Sequence, residues 1–161
     1  MHYAGCSRIC PTPFRLIGKE LESPMNPPKL SSCAIVLVTP DIEKATGFYR
    51  DVLGFRAVKH YEQAEKFAAL YRDNVEIVLV QSQYGTVKPN RESFGAGYDA
   101  YLVPESLAAV DAFYLEIKAR GARIVQPPAL TSYGSREFVF ADLDGHLIGV
   151  GLIKDESTFF G

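Results

Sequence analysis

Gly54-Phe55-Arg56-Ala57-Val58 and Gly121-Ala122-Arg123-Ile124-Val125 are two versions of one pattern, a glycine followed by an apolar residue, an arginine and two more apolar residues. What surrounds them repeats as well. Ahead of the first copy, Thr39-Pro40-Asp41 supplies a turn and a helix start, and Ile42, Ala45, Tyr49 and Val52 then recur at helical spacing until Gly54 ends the helix. Ahead of the second, 105–120 reads as a helix with Ala109, Phe113 and Ile117 inward, closed by Gly121. Each helix follows a short apolar strand, 33–38 in one copy and 100–103 in the other. After each glycine come three strand candidates. They are 55–58, 67–71 and 75–80 in the first copy, and 123–126, 137–141 and 147–152 in the second. The turn signals Asp73-Asn74 and Asp144-Gly145 fall at matching places. The chain is therefore an internal duplication of a βαβββ unit.

This predicts an α+β fold of two βαβββ modules in tandem, with curved mixed sheets around a ligand cavity. Residues 31–154 form one domain, with modules at 31–82 and 98–154 and a polar, glycine-bearing linker at 83–97. Residues 1–30 are an extension rich in proline, with a short helical stretch at 14–21, and 155–161 are a tail. Met25 is an alternative start just ahead of the regular pattern.

Composition excludes several classes of function. With 161 residues, a formal charge of -2 and scattered Lys and Arg, the chain offers no basic face for nucleic acid. Its longest apolar run, Ala34 to Val38, is far below the roughly 20 residues of a membrane helix. The N-terminus does not read as a secretory signal, so a cytoplasmic location and no membrane partner are expected. Three cysteines, Cys6, Cys10 and Cys33, do not make a disulfide framework.

Strand alternation assigns faces. If Ile77 and Leu79 pack on the helix, then Glu76, Val78 and Val80 face the cavity; if Phe138 and Phe140 do, then Glu137, Val139 and Ala141 face it. Leu102 is expected in the same apolar lining. Tyr61, Tyr98 and Tyr133 are candidates to stack on an aromatic ligand, and His60, at a strand end, to line the cavity. His146, after its turn, is expected at the surface. Arg136 and the Asp142/Asp144 turn are expected to hold the hairpin before the last strand.

Three stretches carry a family likeness: TPDIEKATGFYRDVLGF, LEIKARGARIVQPP and YGSREFVFADLDGHLIGVG. They resemble the vicinal oxygen chelate superfamily of glyoxalases, bleomycin-resistance proteins and ring-cleaving dioxygenases, over Ser32 to Leu152. In metal-using members the resemblance implies ligands at four cavity-facing positions, on the first and last strand of each module. Carried over, these fall on Ala34, Val78, Ala100 and Gly149. None offers an imidazole, carboxylate or thiolate, and a shift to nearby Glu76 or Asp99 would not repair the other strands. No metal and no other cofactor is expected. The last stretch is most similar to the metal-free bleomycin-resistance-like branch, which often carries tryptophan where this chain has Tyr133. That branch implies a homodimer with ligand grooves between subunits.

Three functions follow. The first is a binding protein that sequesters a flat or cationic hydrophobic compound, with Glu76 and Glu137 as the negative charges of an apolar cavity. The second is a metal-dependent lyase, isomerase or dioxygenase, or in a cofactor-free form a proton transfer by one of those glutamates. The third is an interaction protein with a vestigial cavity, working through Phe14, Leu16 and Ile17 of the leader.

Overall fold

The computed structural model describes residues 31–153, so the leader readings, from Cys6 and Cys10 through the helix at 14–21 to Met25, lie outside the described residues. The first module runs β1 (Ile35–Thr39), α1 (Ile42–Asp51), β2 (Arg56–His60), β3 (Phe67–Arg72) and β4 (Val75–Gln81). Past a short helix α2 (Asn90–Phe94), the second runs β5 (Ala100–Leu102), α3 (Leu107–Ala119), β6 (Arg123–Leu130), β7 (Ser135–Ala141) and β8 (Leu147–Ile153).

Local chemistry sets these boundaries. Asp41 caps α1 by accepting from the Lys44 N–H at 3.1 Å, while the Gln81 side chain accepts from the Ile42 N–H at 3.0 Å. The helix start is thereby tied to the end of β4. Ser106 caps α3 in the same way through the Ala109 N–H. Gly54 and Gly121, the paired glycines of the repeat, both take left-handed φ, 74° and 87°, which lets each chain leave its helix and enter a strand.

Each sheet places its first strand beside its last, in parallel, giving the orders β1-β4-β3-β2 and β5-β8-β7-β6. The connection β1–α1 lays a helix over one face of its sheet, and β5–α3 does the same. On those faces Ile77 and Leu79 are buried with Tyr49 and Leu53, and Phe138 and Phe140 with Val110 and Ile117. The two helix-covered faces share one contiguous core, and burying each such large side chain contributes about 1.5–3 kcal/mol. Polar ties cross the join: Tyr49 of α1 donates to Asp142, and Arg72 of β3 forms a two-point pair with Glu116 of α3 while lying over the Phe113 ring.

Several expectations need correction. β1 starts at Ile35, not Cys33, and the linker 83–97 contains α2. β6 continues through Pro127 and Pro128 to Leu130, which an edge strand with shifted pairing at Gln126 and Ala129 tolerates. The inward stripe of α3 is Val110, Phe113, Tyr114 and Ile117, with Ala109 at its margin. Leu102 and Ala100 pair with Val150 and Ile148 and sit in the core, so neither lines the open face of the sheet. His146 is 5% exposed, not at the surface, because its Nδ1 meets Asp142 Oδ2 at 2.9 Å inside the hairpin. Arg136 holds no hairpin; it reaches across to Asp111 of α3 at 2.8 Å.

Candidate functional site

With one face of each sheet taken by a helix, chemistry has only the other faces to work on. On the first sheet that face carries Val36 and Val38 of β1, Val78 and Val80 of β4, and Phe67 stacked on His60 at 4.4 Å. It is apolar and open: Val36 is 60% exposed and Val38 42%. Glu76 stands at one end of it, accepting from the Tyr71 hydroxyl at 3.0 Å, with Arg56 over the Tyr71 ring. That hydrogen bond raises the Tyr71 pKa, because Glu76 stabilises the protonated phenol.

The second sheet is different. Tyr101 of β5, Gly149 and Gly151 of β8, and Val139, Glu137 and Ser135 of β7 share its open face. Tyr101 reaches over β8 and donates to Glu137 Oε1 at 2.9 Å. Tyr133, in the turn before β7, donates to the same oxygen at 2.8 Å. The crossing is possible only because β8 has no side chains there: a Cβ on Gly151 would collide with the Tyr101 hydroxyl and lie 2.5 Å from Glu137 Cγ, and one on Gly149 would lie 2.7 Å from the Tyr101 ring. Tyr98 completes the aromatic wall, its ring 6.2 Å from that of Tyr101. Under this cover Glu137 is only 5% exposed.

Burial, followed by the hydrogen bond donated to Glu137 and then the Glu137 charge, pushes the Tyr101 pKa up to about 12, although the Ser135 hydroxyl beside it pulls in the opposite direction. Tyr133 is also raised, chiefly by its hydrogen bond to Glu137. Both phenols therefore keep their protons at neutral pH and spend them on the carboxylate.

Of the residues singled out from sequence, Glu137, Val139, Tyr98 and Tyr133 come together on the second sheet, and Glu76, Val78 and His60 lie on the open face of the first. Tyr61 does not join them, since its hydroxyl donates to Thr46 of α1 at 2.9 Å and its ring packs on the core side. Sequence reasoning missed Tyr101 and Ser135. The signal that marks them is the pair of glycines in LIGVGLI, a strand that is otherwise wholly apolar.

The metal positions can be tested against this geometry. The open-face residues at the paired first and last strands are Val36 and Val78 in one module and Tyr101 and Gly149 in the other. They do not form a set of donors for a divalent ion, and the Tyr101 proton is committed to Glu137. Among the described residues, Asp142, Asp144 and His146 bring ligand atoms within 4.8 Å of one another. Those atoms already hold the hairpin: Asp142 accepts from the Asp144 and His146 N–H groups through Oδ1 and from Tyr49 through Oδ2. A crevice of about 500 Å³ opens elsewhere, between the β3–β4 turn and the start of α3. Of its charged wall residues Arg72, Asp73, Glu105 and Glu116, the arginine is already taken by Glu116 and Asp73, and the crevice borders the core, so we place the site on the open sheet face instead.

A family model described as the Glyoxalase/Bleomycin resistance protein/Dioxygenase superfamily matches residues 31–150. No curated protein sequence is significantly similar to the chain. Solved structures are. A member of that superfamily from Alicyclobacillus acidocaldarius has 16% identity and a TM-score of 0.65, covering 80% of this chain and 95% of its own. One from Sphaerobacter thermophilus has 21% identity and a TM-score of 0.60, covering 76% and 97%. An integron cassette protein from the mobile metagenome of V. cholerae has 26% identity and a TM-score of 0.53, covering 78% and 98%.

Proposed function

Since the chain belongs to the glyoxalase/bleomycin resistance/dioxygenase superfamily, we propose that it is a metal-free binding protein of the bleomycin-resistance type, sequestering a hydrophobic aromatic compound on the open sheet faces. One observation carries this reading. The second sheet buries a carboxylate under a wall of tyrosines where a metal-using relative would need several convergent donors. Aromatic side chains around a single charged group make a surface that stacks on flat rings and orients them by charge. Val36, Val38, Val78 and Val80 offer an apolar lid of matching character, and a second copy of the chain bringing that lid over the tyrosines would close the groove. No helix of the described residues is long and apolar enough to cross a membrane.

Metal content of protein purified without chelator, paired with a thermal-shift screen of cationic aromatic antibiotics, tests the proposal. A metal-free sample stabilised by such a compound is the expected result; binding at a hundred times Kd adds about 2.7 kcal/mol of apparent stability. A stoichiometric divalent ion, with turnover that depends on it, would overturn the proposal in favour of a metal-dependent lyase, isomerase or dioxygenase.

A further inference from the structure

Glu137 is buried without a counter-charge. Among the described residues no Lys, Arg or His forms an ion pair with it, and its sequence neighbour Arg136 turns away to pair with Asp111 of α3. Removing a carboxylate from water costs several kcal/mol unless it is paired, and two neutral phenols supply hydrogen bonds but no charge. Both of those bonds fall on Oε1; no hydrogen bond reaches Oε2 among the described residues. Beside them the Ser135 hydroxyl, 1% exposed, is the one buried side-chain polar atom of the described residues with no hydrogen-bond partner, although it lies next to the Tyr101 phenol. Buried hydroxyls are seldom left unpaired; with its proton turned to the adjacent Tyr101 oxygen, Ser135 keeps its own oxygen as an acceptor open to a partner from outside.

The protons of this cluster are already spent. Tyr101 and Tyr133 each own one, and both go to Glu137. What remains for a ligand is a row of acceptors with one net negative charge: Oε2, the two phenol oxygens and, once its proton turns to Tyr101, the oxygen of Ser135. Such a row suits a group that carries both positive charge and several N–H donors. A neutral hydrogen-bonding group would leave the charge uncompensated, and a quaternary ammonium would bring charge without donors.

We infer that the cluster of Glu137, Tyr101, Tyr133 and Ser135 is a recognition site for the N–H-bearing cation of an aromatic ligand, a protonated amine, amidine or guanidinium. This deepens the binding function proposed above and rests on that reading. Tyr101 and Ser135 are then specificity-determining residues, and the glycines at 149 and 151 exist to let the cluster assemble across β8.

Calorimetric titration of the full chain at neutral pH with three probes on one scaffold tests this: 2-naphthylmethylamine, its N,N,N-trimethyl derivative and 2-naphthalenemethanol. The amine is expected to bind about tenfold tighter or better than either of the others, the usual advantage of a charge-assisted hydrogen bond over a neutral one. Glu137→Gln, which keeps an acceptor for both phenols but removes the charge, should bring the amine down to the level of the alcohol. Ser135→Ala should weaken the amine alone. Equal binding of all three, unchanged in Glu137→Gln, would overturn the cation site while leaving aromatic sequestration standing. A trimethylammonium that binds as tightly as the amine would overturn the donor requirement. No binding by any probe would overturn both readings. The comparison of probes on the unmodified chain decides the matter even where a variant fails to fold.

Discussion

A glycine can be present for what it permits or for want of anything better, and this chain has both kinds. Gly151 permits: a methyl group there would strike the Tyr101 hydroxyl and Glu137 Cγ. Gly47, inside α1, has nothing within 4 Å of where its Cβ would stand. We expect Gly151→Ala to destabilise the protein by about 1–3 kcal/mol through overpacking, and Gly47→Ala to stabilise it by about 0.5–1 kcal/mol through helix propensity, both read by urea denaturation. If Gly151→Ala were as stable as the parent, the close crossing of Tyr101 over β8 would be wrong. The same crossing predicts a tyrosine that titrates at about 12 in the 295 nm absorbance of the folded protein. Because the folded value lies above the ordinary 10.0, the stability linked to this proton is fully present below 10 and is lost as pH rises through 12. Glu137, Tyr98 and Tyr133 were legible in the sequence because strand alternation and aromatic content point to them. Tyr101 was not, since Ala100 and Leu102 around it made a three-residue strand whose facing depended on pairing with β8.

At the level of elements, the β7–β8 hairpin shows why His146 and Arg136 were misread. Its turn folds Asp142 back onto the backbone, and the carboxylate then receives Tyr49 from α1 and faces the His146 ring. Tyr49 and Asp142 are distant in sequence, and nothing local signals that they meet. Helices, strands and the repeat were legible because they follow from spacing within a segment, whereas β6 runs past Gln126 through Pro127 and Pro128, which carry no strand signal and are tolerated because β6 is an edge strand. Burial alone would lower the His146 pKa, but the Asp142 hydrogen bond and charge, with Asp99 and Asp144, outweigh it and hold the value above 6.5. A raised histidine adds stability that is complete below 6.5 and is lost as pH rises through the folded value. The stability gap between the parent and His146→Gln should therefore be widest in mildly acidic buffer and shrink toward alkaline pH in urea titrations. A gap that grew with pH would show the ring to be neutral in the folded state.

For the whole molecule, the two modules put their helices and core faces together and leave two unlike sheet faces open, one of valines and one of tyrosines around a charge. Val36 and Val38 lie on β1, an edge strand whose outer side has no partner among the described residues, and an exposed apolar edge invites association unless something covers it. The second copy proposed above would cover it. Sedimentation velocity at tens of micromolar should then show a dimer, and the double variant Val36→Asp with Val38→Asp should sediment as a monomer. Surface substitutions of this kind change folding stability by about 0.5 kcal/mol or less when no interface is involved, so the monomer should keep its urea midpoint when measured at concentrations too low for dimer. Its affinity for 2-naphthylmethylamine should fall as well, because the lid is lost while the Glu137 cluster stays intact. A parent protein that remains monomeric at every concentration would mean that each open face works alone, with the ligand held on the tyrosine side and free to solvent on the other.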